Sequence, residues 1–192
     1  NQAGTNLYSA IIGKYYPVND LGFYRQAQKM EEAPTLGLNA VVLTTSYPII
    51  ANETDPDRQR KMYADVFSRF LMLQSLLVFI LIGIAEPLWM FLLGEKWSES
   101  VPYFQLFLII ALIFPVTTIN ANITKIHNRP VLYRNLTFFR NGLKIAALIL
   151  LARTSLTTLL YGQIVASYIS AITDMYFCGR IIGFGIGTQL KI

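Results

Sequence analysis

Apolar runs of about 20 residues recur along this chain, and they constrain it more than any other feature, because that length is what a helix needs to cross a hydrocarbon core. Residues 70–85 contain no charged side chain, and the run they belong to extends over 67–93 with only Arg69 and Glu86 interrupting it. Of 192 residues 54% are hydrophobic and 14% charged, and the mean hydropathy is +0.44, too apolar for a soluble domain of ordinary composition. The expected fold is all-α, a polytopic transmembrane bundle of about six helices. The spans predicted are 2–16, 34–51, 67–93, 103–125, 131–152 and 156–182. The chain begins without Met and stops without an evident terminal element, so residues 1–192 are read as one bundle, a piece of a longer polytopic protein.

The formal charge of +5 comes from 16 Lys and Arg against 11 Asp and Glu. These charges fall between the apolar runs, where they set topology: loops rich in Lys and Arg stay cytoplasmic. Arg58, Arg60, Lys61 and Arg69 mark one side, with Lys125, Arg129, Arg134, Arg180 and Lys191. Arg25, Lys29, Lys96 and Arg153 mark the other. The first side is expected to be cytoplasmic, which makes residues 52–66 a cytoplasmic loop entering an amphipathic helix and puts the turn around Lys96 outside. Trp89 and Trp97 flank that turn as an interfacial aromatic belt would. Pro34, Pro48, Pro87 and Pro115 fall in or beside spans, where each removes a backbone donor.

Charges inside the spans ask for a reason, since a charged group at the bilayer centre is costly. Arg140 and Lys144 lie one helical turn apart in "LTFFRNGLKIAALILLA". Three readings are open for them: snorkelling to the headgroups, pairing with a buried acid, or lining a cavity for an anionic ligand. Lys14 is a third such cation. On the last span Gln163, Ser167, Ser170 and Asp174 recur along one face, either as helix-to-helix packing or as a polar stripe. Asp174 is a charge partner for Arg140 or Lys144, or an ion-coupling site. Glu86, next to Pro87, is read as interfacial.

No Walker loop, Cys/His ligand spacing or Gly-x-Ser-x-Gly elbow is present. His127 reads as a loop histidine and Cys178 as a packed hydrophobe. No catalytic residue, metal or cofactor is expected, and no nucleic-acid face. The three Asn-x-Thr triplets, at Asn52, Asn122 and Asn135, are read as chance.

Three stretches together resemble a known family. "IIGKYYPVNDLGFYRQAQKM" is similar to a helix ending in Gly-Lys followed by a Leu-Gly-Tyr-Tyr-like turn and an Arg/Gln/Ala-rich helix. "EPLWMFLLGEKWSESVPYFQLF" resembles a Leu-Leu-Gly-x-Lys-Trp turn, and "HNRP" stands where a Gly-Arg-Pro-like turn is usual, with Asn128 in place of the common glycine. The family is the Wzx-like polysaccharide and O-antigen flippase branch of the multidrug/oligosaccharidyl-lipid/polysaccharide exporter superfamily. The resemblance implies two facing bundles in a MATE-like exporter fold, of which this chain is most of the second.

It also implies a multi-pass protein of the bacterial inner membrane, not an enzyme, that flips an undecaprenyl-diphosphate-linked oligosaccharide for O-antigen, capsule or exopolysaccharide assembly. Its partners would be that lipid-linked oligosaccharide, membrane lipids and glycan polymerase machinery. Lys14, Arg140 and Lys144 would then face the diphosphate. The alternatives are a cation-coupled drug exporter of the same superfamily, or a membrane-embedded glycan polymerase or ligase.

Overall fold

Helix begins wherever the sequence supplies a start signal next to an apolar stripe. The computed structural model describes residues 13 and 15–189; the span expected at 2–16 therefore lies almost wholly outside the described residues. The elements in chain order are α1 (Val18–Ala51), α2 (Pro56–Gly83), α3 (Ala85–Leu93), a 3-10 turn (Glu95–Ser100), α4 (Val101–Ala111), α5 (Phe114–Ile126), α6 (Pro130–Leu151), α7 (Leu156–Ile182) and a short α8 (Ile186–Gln189). No strand occurs among the described residues. Pro56, Pro102 and Pro130 sit in first turns, where a missing amide costs nothing. Asp55 and Ser155 cap α2 and α7 by accepting from Asp57 N and Thr158 N, which satisfies amides that otherwise lack partners.

The last two spans match the expectation, α7 with the same bounds and α6 within a residue. Gly183 ends α7 in a left-handed conformation (φ 66°), and the guanidinium of Arg60 lies against it. Elsewhere the structure differs. α1 starts at Val18 rather than near 34, because Tyr24, Ala27, Glu31 and Thr35 make a buried stripe at helical spacing through a segment that reads as polar; Pro34 is held inside the helix. The segment 52–66 is helix from Pro56 onward, so its loop is only 52–55.

The two central spans are interrupted. Pro87 has no amide to give the Gly83 carbonyl, and the helix breaks at Ile84. Pro115 likewise cannot serve the Ala111 carbonyl, and Leu112 and Ile113 fall out of the helix. At that second break Ile113 N bonds Ile110 O (3.4 Å) instead of the Ile109 carbonyl. Both released carbonyls find side chains from neighbouring helices: Gln74 Nε2 donates to Ala111 O at 3.0 Å and the Tyr168 hydroxyl donates to Ile109 O at 3.2 Å. In a bilayer there is no water to do this, so the break is secured by α2 and α7.

Among the described residues two large apolar clusters fill the interior, with a small third one of Leu148 and Leu159. One, toward Trp97, gathers Tyr24, Trp89, Phe104, Leu108 and Leu160; the other, toward Arg60, gathers Val42, Tyr63, Phe67, Ile119, Ile123 and Cys178. Trp89 belongs to the first, stacked edge-on with Phe104, and so is core rather than belt. Trp97 packs on Phe23.

The outside is as apolar as the inside. Met72, Leu76 and Phe79 on α2, and Tyr161, Val165, Ile169, Ile172 and Tyr176 at helical spacing on α7, are all exposed. Soluble proteins do not leave stripes of this kind uncovered. Among the described residues, three segments are long and apolar enough to cross a membrane by themselves, Pro56–Gly83, Glu95–Ile126 and Leu156–Ile182. The chain is a membrane protein.

Candidate functional site

α6 packs chiefly along α7, and their register sets the site. Arg140 faces Asp174 across the seam, with Nη2 donating to Oδ2 at 2.9 Å. The Asp174 side chain is 4% exposed and that of Arg140 26%, so the acid is interior and the cation reaches it from the rim. Arg140 Nε is buried and has no hydrogen-bond partner. Lys144, one turn further along α6, is half-buried and within electrostatic reach of Arg140. Of the open readings for Arg140, pairing with a buried acid describes the observed geometry. Lys14 lies outside the described residues.

The remaining stripe residues of α7, Gln163, Ser167 and Ser170, are all buried, but they do not form a relay to Asp174. Ser170 donates to its own helix at Ala166 O (2.7 Å), and Ser167 Oγ has no partner. Burial places the stripe within the bundle, on a helix that packs against α4, α5 and α6.

A second polar cluster lies one turn beyond Asp174 and was not anticipated. The Cys178 thiol donates to Asn120 O at 3.4 Å. The Tyr63 hydroxyl lies 3.0 Å from Asn120 Oδ1 and 3.2 Å from Gln189 Oε1, and Gln189 Nε2 donates to the carbonyls of Met175 and Phe184. Along the α1–α5 seam Thr118 donates to Asn39 and Asn122 to Ser46; Asn122, formally a glycosylation triplet, is 2% exposed. The signal was there in "TTINANIT", whose polar residues sit on more than one face of a span. Glu31 was also missed. It is 4% exposed on the buried stripe of α1, but "MEEA" beside a charged run reads as surface.

Outside the membrane, His127 is half-buried in the α5–α6 turn with Nε2 unpartnered; burial first, and then the charge of Arg129, hold its imidazole below the usual histidine range. Asn128 beside it has φ 50°. Asparagine tolerates this left-handed conformation better than other residues with a side chain. Among the described residues, no group of three His, Cys, Asp or Glu side chains is placed to hold a metal ion.

These features define a membrane-embedded helical bundle with charged and polar groups in its interior. The chain belongs to the family described as polysaccharide biosynthesis protein, which matches residues 1–102. It is also similar to the teichuronic acid biosynthesis protein TuaB of Bacillus subtilis (strain 168), at 23% identity over 124 residues, 64% of this chain and 26% of that protein. The chain thus spans about a quarter of the length of this curated relative. No solved structure matches. The family match covers α1 to α3 and ends in the first turn of α4, before Arg140 and Asp174.

Proposed function

We propose that this chain is part of a flippase that carries an undecaprenyl-diphosphate-linked oligosaccharide from the cytoplasmic to the outer leaflet of the bacterial inner membrane. The protein acts as a transporter in O-antigen, capsule or exopolysaccharide assembly, leaving bond-making to glycan polymerases that take over the lipid-linked product. Membership of a polysaccharide biosynthesis family supports the pathway, and TuaB, named for teichuronic acid biosynthesis, is consistent with it. A second, similar bundle would face this one across a cavity in a MATE-like exporter arrangement.

The observation that carries the reading is the pair of cations on α6, Arg140 and Lys144, half-buried on a membrane bundle of that family. A diphosphate is the kind of ligand such a pair recognises, through short charge-assisted hydrogen bonds, while the prenyl tail stays in lipid. Asp174 neutralises Arg140 when no diphosphate is present and competes with it when one arrives. Lys14 is the third cation of the proposed set. The positive-inside rule supports placing the Arg60 end of the bundle in the cytoplasm; Arg60 Nε donates to Ile182 O at 2.8 Å there, joining the start of α2 to the end of α7.

The test is complementation of a strain lacking the full-length gene. Arg140→Ala with Lys144→Ala, present at the wild-type level in the membrane, should leave lipid-linked glycan accumulating on the cytoplasmic side with little exported. Full export by this double variant would refute the assignment of the two cations.

A further inference from the structure

Glu31 lies on the stripe of α1 that packs into the bundle, with 4% of its surface exposed. Among the described residues it has no ion-pair partner. Its neighbour is Thr35, one turn on and fully buried, whose Oγ1 lies 2.7 Å from Glu31 Oε1 and 2.8 Å from the backbone carbonyl oxygen of Glu31. A threonine hydroxyl has a single proton to donate, so it cannot satisfy both oxygens. Elsewhere in this bundle Thr44, Thr45, Ser170 and Thr173 spend that proton on the carbonyl four residues back, at 2.7 to 2.8 Å. If Thr35 does the same, the contact to Oε1 needs a proton from the other side. The two distances are both accounted for when Glu31 is a carboxylic acid: its O–H donates to Thr35 Oγ1, and Thr35 donates to the carbonyl.

The surroundings suit a proton rather than a metal cation. On α1, Glu31 and Thr35 are bracketed by the Tyr24–Phe107 ring contact and the Thr118–Asn39 hydrogen bond, the level at which the Glu95–Ile126 span is broken. The two carbonyls released at that break are already taken by Gln74 and Tyr168. Among the described residues Thr35 is the hydrogen-bond partner of the Glu31 carboxyl and no group of three acidic, His or Cys side chains gathers there; one carboxyl and one hydroxyl are too few oxygens to replace the hydration shell of a metal ion. Among the described residues no cation is placed to neutralise a carboxylate there: on α1 Lys29 is exposed and Arg25 donates to Gln28. α4 carries no charged residue and only Tyr103 as a titratable group; the charge on α5 is Lys125, in its last turn; those of α2 lie between Asp57 and Arg69 in its first half; those of the 3-10 turn are Glu95, Lys96 and Glu99. On α1 itself Glu32 is adjacent and of the same sign.

We propose that Glu31, with Thr35, is a proton-binding site of the bundle, occupied in the conformation described and emptied when the bundle opens a water path to it. In the release step the Glu31 O–H bond breaks, the proton passes to water and the carboxylate keeps the electron pair. A carboxyl that changes charge at a helix break gives the bundle a means of coupling its opening to a proton gradient. That coupling rests on the flippase reading, whereas the proton site does not.

The test uses the full-length protein in liposomes and two independent readouts. Infrared spectra at neutral pH should show a carboxylic-acid carbonyl band in the wild type that is absent from Glu31→Gln. In Thr35→Val, which keeps the acid but removes its acceptor, the band should persist at higher frequency; that variant serves if Glu31→Gln fails to insert. An ionised Glu31 in the wild type at neutral pH, or an acid band unchanged in Glu31→Gln, would overturn the site. Translocation of an undecaprenyl-diphosphate oligosaccharide should be accelerated severalfold by a pH gradient in the wild type and be indifferent to it in Glu31→Gln. Equal acceleration of both proteins would overturn the coupling, while absence of wild-type translocation with the infrared band intact would count against the flippase reading alone.

Discussion

Removing Gln74 should destabilise the protein by an amount that depends on Pro115, a residue it does not bond. Pro115 lacks the amide that would serve the Ala111 carbonyl, and the Gln74 side chain, 1% exposed, supplies the donor at 3.0 Å instead. Gln74→Leu keeps the volume approximately but leaves that carbonyl without a partner where no water replaces it. An unsatisfied buried polar group costs about 1–3 kcal/mol in soluble proteins, and interhelical hydrogen bonds in membranes measure roughly 0.6 and up to about 1.7 kcal/mol. The loss expected is therefore about 1–2 kcal/mol. In a Pro115→Ala background the restored amide reaches the Ala111 carbonyl, and the same Gln74→Leu change should cost about 1 kcal/mol less. Reversible unfolding in mixed micelles, run on the four proteins of the cycle, measures that difference. Additivity within about 0.3 kcal/mol would show that the glutamine does not answer the proline, and the account of the broken span would fall with it.

The buried ion pair gives an asymmetric expectation. Arg140→Leu strands an acid that is 4% exposed and should cost about 3–5 kcal/mol, whereas Arg140→Leu with Asp174→Leu should return close to wild type; Asp174→Asn, which leaves the more exposed partner, should cost less than Arg140→Leu. In the α5–α6 turn, burial and Arg129 hold His127 below the usual histidine value, so the unfolded chain binds the proton more readily. Stability from this group is full above an unfolded value of about 6.5 and falls as pH drops from there through the folded value; thermal unfolding between about pH 5 and 7.5 should show the slope in the wild type and a reduced slope in His127→Gln. At Asn128, φ 50°, glycine should be tolerated within a few tenths of a kcal/mol or slightly stabilising, while Asn128→Val should cost upward of about 1 kcal/mol in the same melts.

Some of this architecture is legible in the sequence and some is not, for physical reasons. α7 matches its expected bounds because a capping serine and a left-handed glycine bracket a long, predominantly apolar run. The break at Leu112 and Ile113 was hidden because hydropathy is continuous through it; Pro115 marks the spot, but the side chains that make the break stable come from α2 and α7, and only tertiary packing brings them there. Asp174 stood out as an acid in an apolar helix. Its partner did not, because the choice between Arg140 and Lys144 depends on the register of α6 against α7, and one turn decides it. Glu31 was concealed by its company: Arg25, Lys29 and Glu32 make the segment look solvated, while the period that buries Glu31 runs through Tyr24, Ala27 and Thr35. Trp89 illustrates the converse, a tryptophan at a turn that packs inward on Phe104.

The most direct test of the central claim is translocation itself. The full-length protein is reconstituted into liposomes loaded with an undecaprenyl-diphosphate oligosaccharide carrying a reporter sugar, and movement between leaflets is followed by access of an impermeant reagent. The account predicts translocation well above protein-free liposomes, and a rate reduced about tenfold or more in Arg140→Ala/Lys144→Ala, the equivalent of roughly 1.5 kcal/mol, the low end for a hydrogen bond to a charged group. Translocation no faster than in protein-free liposomes would contradict the flippase function, and wild-type rates in the double variant would contradict the role given to α6.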